Sequence, residues 1–146
     1  AMEQLHQRRI RTCVHLINGL PGETPVQMVE SAWQVGLLHP DAVKLQLLHV
    51  IRGTALADWY NAGRVSVMSQ AEYVSVILRQ LEVLPPETVI ERITGDGDRN
   101  KLIAPLWSMR KIAVLSAIDK AQAQAGSWQG KALEAALHNA CQVALP

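Results

Sequence analysis

Two apolar periods run through the chain, and the points where one gives way to the other mark its elements. Residues 10–17 (Ile-Arg-Thr-Cys-Val-His-Leu-Ile) form an apolar-rich run ending at Asn18 and a Gly19-Leu-Pro-Gly22 turn, which predicts a buried strand leading into a loop. A helix follows at once: Thr24 with Gln27 three positions on is a capping box, and Pro25 occupies the first helical position, where its missing N–H costs nothing. Val26, Val29, Trp33 and Leu37 recur at helical spacing as its predicted buried stripe, and the helix should stop between Gly36 and His39, ahead of Pro40. Ala42 to Ile51 is apolar on both parities and reads as one strand covered on both faces.

The rest repeats the scheme. Arg52-Gly53-Thr54 opens a short helix through Asp58, Trp59 and Tyr60 that stops at Gly63. Ser69 and Glu72 form a second capping box, for a helix whose Tyr73, Ile77, Leu81 and Leu84 share a face and which ends at Pro85-Pro86. Thr88 to Thr94 predicts a third strand, followed by a polar turn over residues 95–99. Residues 101–108 read as an ordered irregular connection, and Ser108 as the cap of a helix on which Ile112, Leu115 and Ile118 align. A last helix is expected from about Lys131 to Val143, with Leu133, Leu137 and Ala140 on one face, able to dock on the domain or on a partner.

Strands alternating with helices define an α/β chain: a partial, half TIM-like barrel of about three parallel strands (residues 1–107) with a helical C-terminal extension (residues 108–146). Half a barrel leaves a sheet edge to be covered, and residues 2–9 read as the last turn of a helix that begins earlier, so the natural chain is expected to start further upstream. If Thr12, Val14 and Leu16 face the helices, then Cys13, His15 and Ile17 face the interior, as Lys44, Gln46 and Leu48 would on the next strand. Loops leaving the carboxyl ends of such strands are where ligands bind. That places Gly19 to Glu23 first among candidate ligand loops, flanked by the polar Asn18 and Glu23, with His49 and Arg52 at the next strand end and Asp96, Asp98 and Arg99 at the third.

Composition narrows the function classes. With 49% hydrophobic and 18% charged residues, the chain suits one globular domain, and its net charge of +1 supplies no general attraction to nucleic acid or an anionic membrane. No apolar run approaches the ~20 residues of a membrane span, so a soluble, cytoplasmic protein is the expectation. Cys13 and Cys141 are the only cysteines and neither has metal-ligand spacing around it; Cys13 reads as a small buried strand residue. The run Asp96 to Asn100 is too short for a calcium loop and lacks its closing glutamate, so a turn or a ligand-facing loop is expected there. Arg110 and Lys111 stand in the first turn of their predicted helix, where the dipole disfavours cations; an anionic ligand and simple exposure both account for this.

The string HLINGLPGET resembles the fifth-strand segment of radical S-adenosylmethionine (SAM) proteins, in particular the group of the anaerobic coproporphyrinogen oxidases and elongator-type proteins. The segments VKLQLLHVIRGTALADWY (43–60), LEVLPPETVIERITGDGDR (81–99) and LIAPLWSMRK (102–111) are similar, in the same order, to the carboxyl half of the YhcC-type radical SAM family. The resemblance implies SAM and a 4Fe–4S cluster as cofactors of the full-length parent. It also implies that this chain is the half without the cluster-binding Cys-x3-Cys-x2-Cys loop, so that no cofactor and no catalysis are expected of it alone. Ile17 and Gly19 match the family pattern Gly-x-Ile-x-Gly-x-x-Glu, whereas His15 stands for its first glycine and Glu23 falls one residue late. The implied cofactor-binding set is Ile17, Gly19, Gly22, Glu23, His15, Gln46, His49 and Arg52. Implied partners are the missing N-terminal half of the same protein and a substrate whose class varies widely across the family. RNA is a further partner expectation, through Arg99, Lys101, Arg110 and Lys111, as is self-association through the sheet edge; no membrane is expected. The competing reading is a non-catalytic interaction module.

Overall fold

The computed structural model describes residues 1–95 and 97–135. A short helix, α1 (Met2–Gln7), precedes β1 (Cys13–Asn18), α2 (Pro25–Gly36) and β2 (Ala42–Leu47). Then come β3 (Val50–Ile51), α3 (Ala55–Asn61), α4 (Gln70–Val83), β4 (Val89–Arg92), β5 (Leu102–Ala104), a 3-10 turn (Leu106–Met109) and α5 (Lys111–Ala125). β1, β2 and β4 form a parallel three-stranded sheet in the order β1-β2-β4. This is the expected α/β architecture of parallel strands joined by helical crossovers, which is how parallel strands must be connected.

Both capping boxes are formed: Thr24 and Ser69 each accept from a backbone N–H three residues on, while Gln27 and Glu72 reach back. The hydrogen bonds from Ser69 hold the Glu72 carboxyl below its ordinary range. α2 and α4 pack together on one face of the sheet, and the main core combines Val43, Leu45 and Leu47 of β2 with Tyr73, Ile77 and Leu81 of α4 and Val114 and Ile118 of α5. Tyr73 is fully buried and donates its hydroxyl to the carbonyls of Leu45 and Ile93, tying the exits of β2 and β4 to the helix that covers them.

Several sequence expectations are corrected by packing. The buried stripe of α2 is Met28, Ala32 and Gly36, whereas Val26 is 65% exposed. Small residues win because α2 approaches α4 closely: a Cβ on Gly36 would stand 3.1 Å from the Val83 carbonyl oxygen. On α5, Val114 and Ile118 are buried and Ile112 is 83% exposed. Ser108 caps nothing; it lies buried in the 3-10 turn. The run from Ala42 to Ile51 is not one strand. β1 turns away at Gly19 (φ 82°), so the backbone beyond Leu48 loses its parallel neighbour. Val50 and Ile51 pair instead, antiparallel, with Ala104 and Leu102. Residues 102–104, expected to be irregular, are therefore a strand, because that edge needs a partner. A helical segment covers residues 131–135, with Leu133 half-buried; Leu137, Ala140 and Cys141 lie outside the described residues.

Candidate functional site

Because the three strands are parallel, their exit loops gather at one end of the sheet. The helices cover only one of its faces. Val14, Leu16 and Ile90 point into the core, while Cys13, His15 and Ile17 on β1 and Glu91 on β4 lie exposed on the other face, with Lys44 and Gln46 of β2 half-buried between them. Register brings His15 beside Lys44 and Ile17 beside Gln46. Cys13, expected to be buried, is exposed because its parity is the uncovered one. Its thiol lies 3.6 Å from the Glu91 carboxylate, which also meets Lys44 Nζ at 3.3 Å. Lys44 holds the Glu91 carboxyl below its usual range, while loss of hydration and the adjacent Glu91 charge push the Cys13 thiol up. That disfavours the nucleophilic thiolate at neutral pH.

The loop after β1 is built for close approach. Gly19 and Gly22 both take φ of 82°, a conformation that disfavours L side chains. Nothing stands within 4 Å of where a Cβ of Gly22 would project, and Gly19 rests against the Met68 side chain. Glu23 closes the turn, accepting from the Leu20 N–H at 3.3 Å. Between this loop and residues 64–68 opens a cleft of about 300 Å³, lined in part by Gly19, Glu23, Arg64, Met68 and Glu72. Trp107 secures its far wall, donating Nε1–H to the Met68 carbonyl at 3.0 Å while packing on Tyr73. Asn18, which the sequence reading placed among the ligand-side polar groups, is buried. Its amide exchanges two hydrogen bonds with Gln80, whose Nε2 also donates to the Met28 carbonyl.

At the neighbouring strand exits stands His49, half-buried, its Nε2 3.1 Å from Ser108 Oγ. Burial lowers its pKa, because desolvation disfavours the charged imidazolium. Gly95 makes room for the ring: a Cβ there would come within 2.3 Å of His49 Cε1. A Gly95→Ala substitution is therefore expected to displace the imidazole and cost about 1–3 kcal/mol, the usual toll of overpacking. Chemical denaturation together with the His49 ring resonances would check this, and unchanged values of both would refute it. The sequence offers Ser108 as a helix cap and Gly95 as part of a polar turn; their contacts with His49 were beyond it, because each joins residues distant in the chain. Arg52 stands apart from this group, exposed at the end of β3, its backbone N–H bonded to Lys101 O at 2.8 Å. Arg99 and Lys111 line a small recess with Gly95, Gly97 and Ser108, and adjoin Arg110 in a second depression; Lys101 pairs with Asp98 at 3.8 Å. Asp96 lies outside the described residues.

The model of the radical SAM C-terminal domain family matches residues 40–124. This chain belongs to that family. It is 42% identical to YtqA of Bacillus subtilis over 130 residues, covering 89% of this chain and 40% of that protein. Identity to YhcC of Escherichia coli is 32% over 127 residues, covering 87% of this chain and 41% of the relative. Elongator complex protein 3 of Homo sapiens is 28% identical over 89 residues, which is 59% of this chain and 16% of that protein. The solved structure of the archaeal Methanocaldococcus infernus Elp3 with an N-terminal deletion superposes with a TM-score of 0.69 at 20% identity, over 86% of this chain and 29% of that one. That likeness shows a shared fold. The chain of this radical SAM C-terminal domain spans about two fifths of the length of YtqA and YhcC.

The described residues can be tested against the two cofactors the family implies. No group of three or more His, Cys, Asp or Glu side chains among them is placed to hold a metal ion, so an iron–sulfur cluster does not fit them. The backbone at Gly22 is open, and Ile17 offers an uncovered apolar surface one residue before Asn18 and the turn. Among the described residues no helix is long and apolar enough to cross a membrane.

Proposed function

We propose that this chain forms the SAM- and substrate-facing carboxyl half of a radical SAM enzyme's barrel, and that another part of the parent protein supplies the cluster. One observation carries the reading: three parallel strands leave a whole face uncovered, bearing Cys13, His15, Ile17, Lys44, Gln46 and Glu91, immediately beneath the glycine loop and His49. An uncovered sheet face of this kind makes sense as the wall of a chamber closed by further strands. SAM, when bound beside a reduced cluster, supplies hydrogen-atom abstraction. This chain's own residues do the rest. Ile17 and Gly19 pack against the adenine, Gly22 lets the backbone approach, and Gln46 offers a polar contact beside Ile17. His15 and Lys44 line the wall towards the substrate, and Arg52 and His49 hold polar groups at the rim. Alone, the chain lacks the reaction.

The test is anaerobic reconstitution of the complete natural protein and of this chain in parallel. Iron and SAM retention by the complete protein, with no iron retained by this chain, is expected. A complete protein that takes up neither would leave the interaction-module reading in its place.

A further inference from the structure

Residues 64–68 form one wall of the cleft beside the glycine turn, and that wall has little backbone support of its own. It runs from the turn after α3 to the Ser69 cap of α4 without joining a helix or strand. Among the described residues one hydrogen bond reaches the stretch 65–68: the Trp107 indole N–H, which donates to the Met68 carbonyl at 3.0 Å across 39 positions of sequence. Side chains supply the rest of the anchorage, Val67 against the small core of Val50, Ala57 and Ala104, and Met68 against the main one. Trp107 is itself fixed from behind. It is half-buried against the main core, its ring 5.4 Å from that of Tyr73.

The Met68 side chain carries this anchorage on to the glycine turn. A Cβ on Gly19 would stand 3.1 Å from both Cγ and Sδ of Met68, so the Gly19 α-carbon is seated directly on the thioether. Interiors packed this closely transmit a displacement rather than absorb it. Ser108, next to Trp107 in the same 3-10 turn, meets His49 Nε2 at 3.1 Å. Adjacent side chains of one turn therefore brace both the glycine turn and His49.

We propose that Trp107 is a positioning residue for the ligand bound at the glycine turn: its bond to Met68 sets the cleft wall and, through Met68, the seat of Gly19. The inference rests on the reading of this turn as the adenine side of the SAM site, and adds to it a residue that touches no ligand. Trp107 lies behind the cleft and does not line it. Holding a binding group in place from behind in this way is what keeps a site at its productive geometry.

Trp107→Phe keeps an aromatic ring against Tyr73 and removes the N–H. Its control is Thr88→Val, which removes one buried hydroxyl bond, to the Pro40 carbonyl at 3.3 Å, ahead of β4 and away from the strand exits. In this chain Trp107→Phe should shift the Gly19 and Leu20 amide resonances, and Thr88→Val should leave them in place. In the complete protein, calorimetry should show SAM affinity reduced about tenfold by Trp107→Phe, the scale of one lost hydrogen bond. Met68→Ala should lose at least as much. The double variant should bind no more weakly than Met68→Ala alone, because both act through one contact. Thr88→Val should bind SAM as the wild type does, even where it melts as low as Trp107→Phe. Wild-type affinity in Trp107→Phe, losses that multiply in the double variant, or an equal loss in Thr88→Val would each overturn the positioning role, the last by tracing affinity to overall stability. A wild-type complete protein that binds no SAM would bring down the proposed function as well, so the wild type alone tells the two failures apart.

Discussion

Replacing Gln80 by leucine is expected to destabilise the chain by about 3 kcal/mol, because it strands a buried amide. Gln80 and Asn18 are 0% and 2% exposed, and they exchange bonds of 2.9 and 2.8 Å, with a third from Gln80 to the Met28 carbonyl at 2.9 Å. Leucine fills similar volume and gains apolar burial. It nevertheless leaves the Asn18 carboxamide, donor and acceptor alike, without partners in a medium of low dielectric. For a chain of this size the loss should lower the melting temperature by about 10 °C.

The effect reaches the candidate site, since Asn18 is the last residue of β1 and the next residue begins the glycine turn. Replacing both partners, Asn18→Leu with Gln80→Leu, should recover part of the stability, because neither polar group is then left unpaired. Chemical denaturation of both single variants and the double variant checks this. Strict additivity would mean that the network is not what holds the turn.

The second large effect depends on where the measurement is made. In this chain Ile17 is 47% exposed on the open sheet face, so Ile17→Asp should change its stability by no more than about 0.5 kcal/mol. In the complete protein the same side chain would face the closed chamber, and an unpaired carboxylate there costs several kcal/mol. SAM affinity should fall about a hundredfold or more, with Ile17→Val as a control that keeps shape and polarity. Calorimetry of SAM binding to the complete protein, beside thermal melts of this chain, gives both numbers. Equal tolerance of aspartate in the two contexts would show that this face is not a chamber wall.

The fold was largely legible in advance where the information is local. Thr24 with Gln27 and Ser69 with Glu72 announce helix starts through bonds spanning three residues, and those starts are found where expected. The parity of Val14 and Leu16 against His15 and Ile17 needs only the two-residue repeat of a strand. What lay beyond reach depended on partners far away. Residues 102–104 carry too few side chains to declare a period, and become a strand only because Val50 and Ile51 need one. The helix faces drawn through Val26 and Leu37, and through Ile112 and Leu115, failed because apolar periodicity does not say which side a neighbour occupies or how closely it approaches.

The candidate site divides along the same line. Sequence by itself determined the strand–turn–helix units, the glycines that permit the turn after β1, and the family to which these segments belong. Only the tertiary structure decided that Asn18 is a buried anchor, joined to Gln80 across 62 positions, and that His49 is paired with Ser108 across 59. The physical reason is range. Capping, periodicity and turn geometry are settled within a few residues, whereas burial and hydrogen-bond pairing are settled by whatever the closed chain brings within about 3 Å.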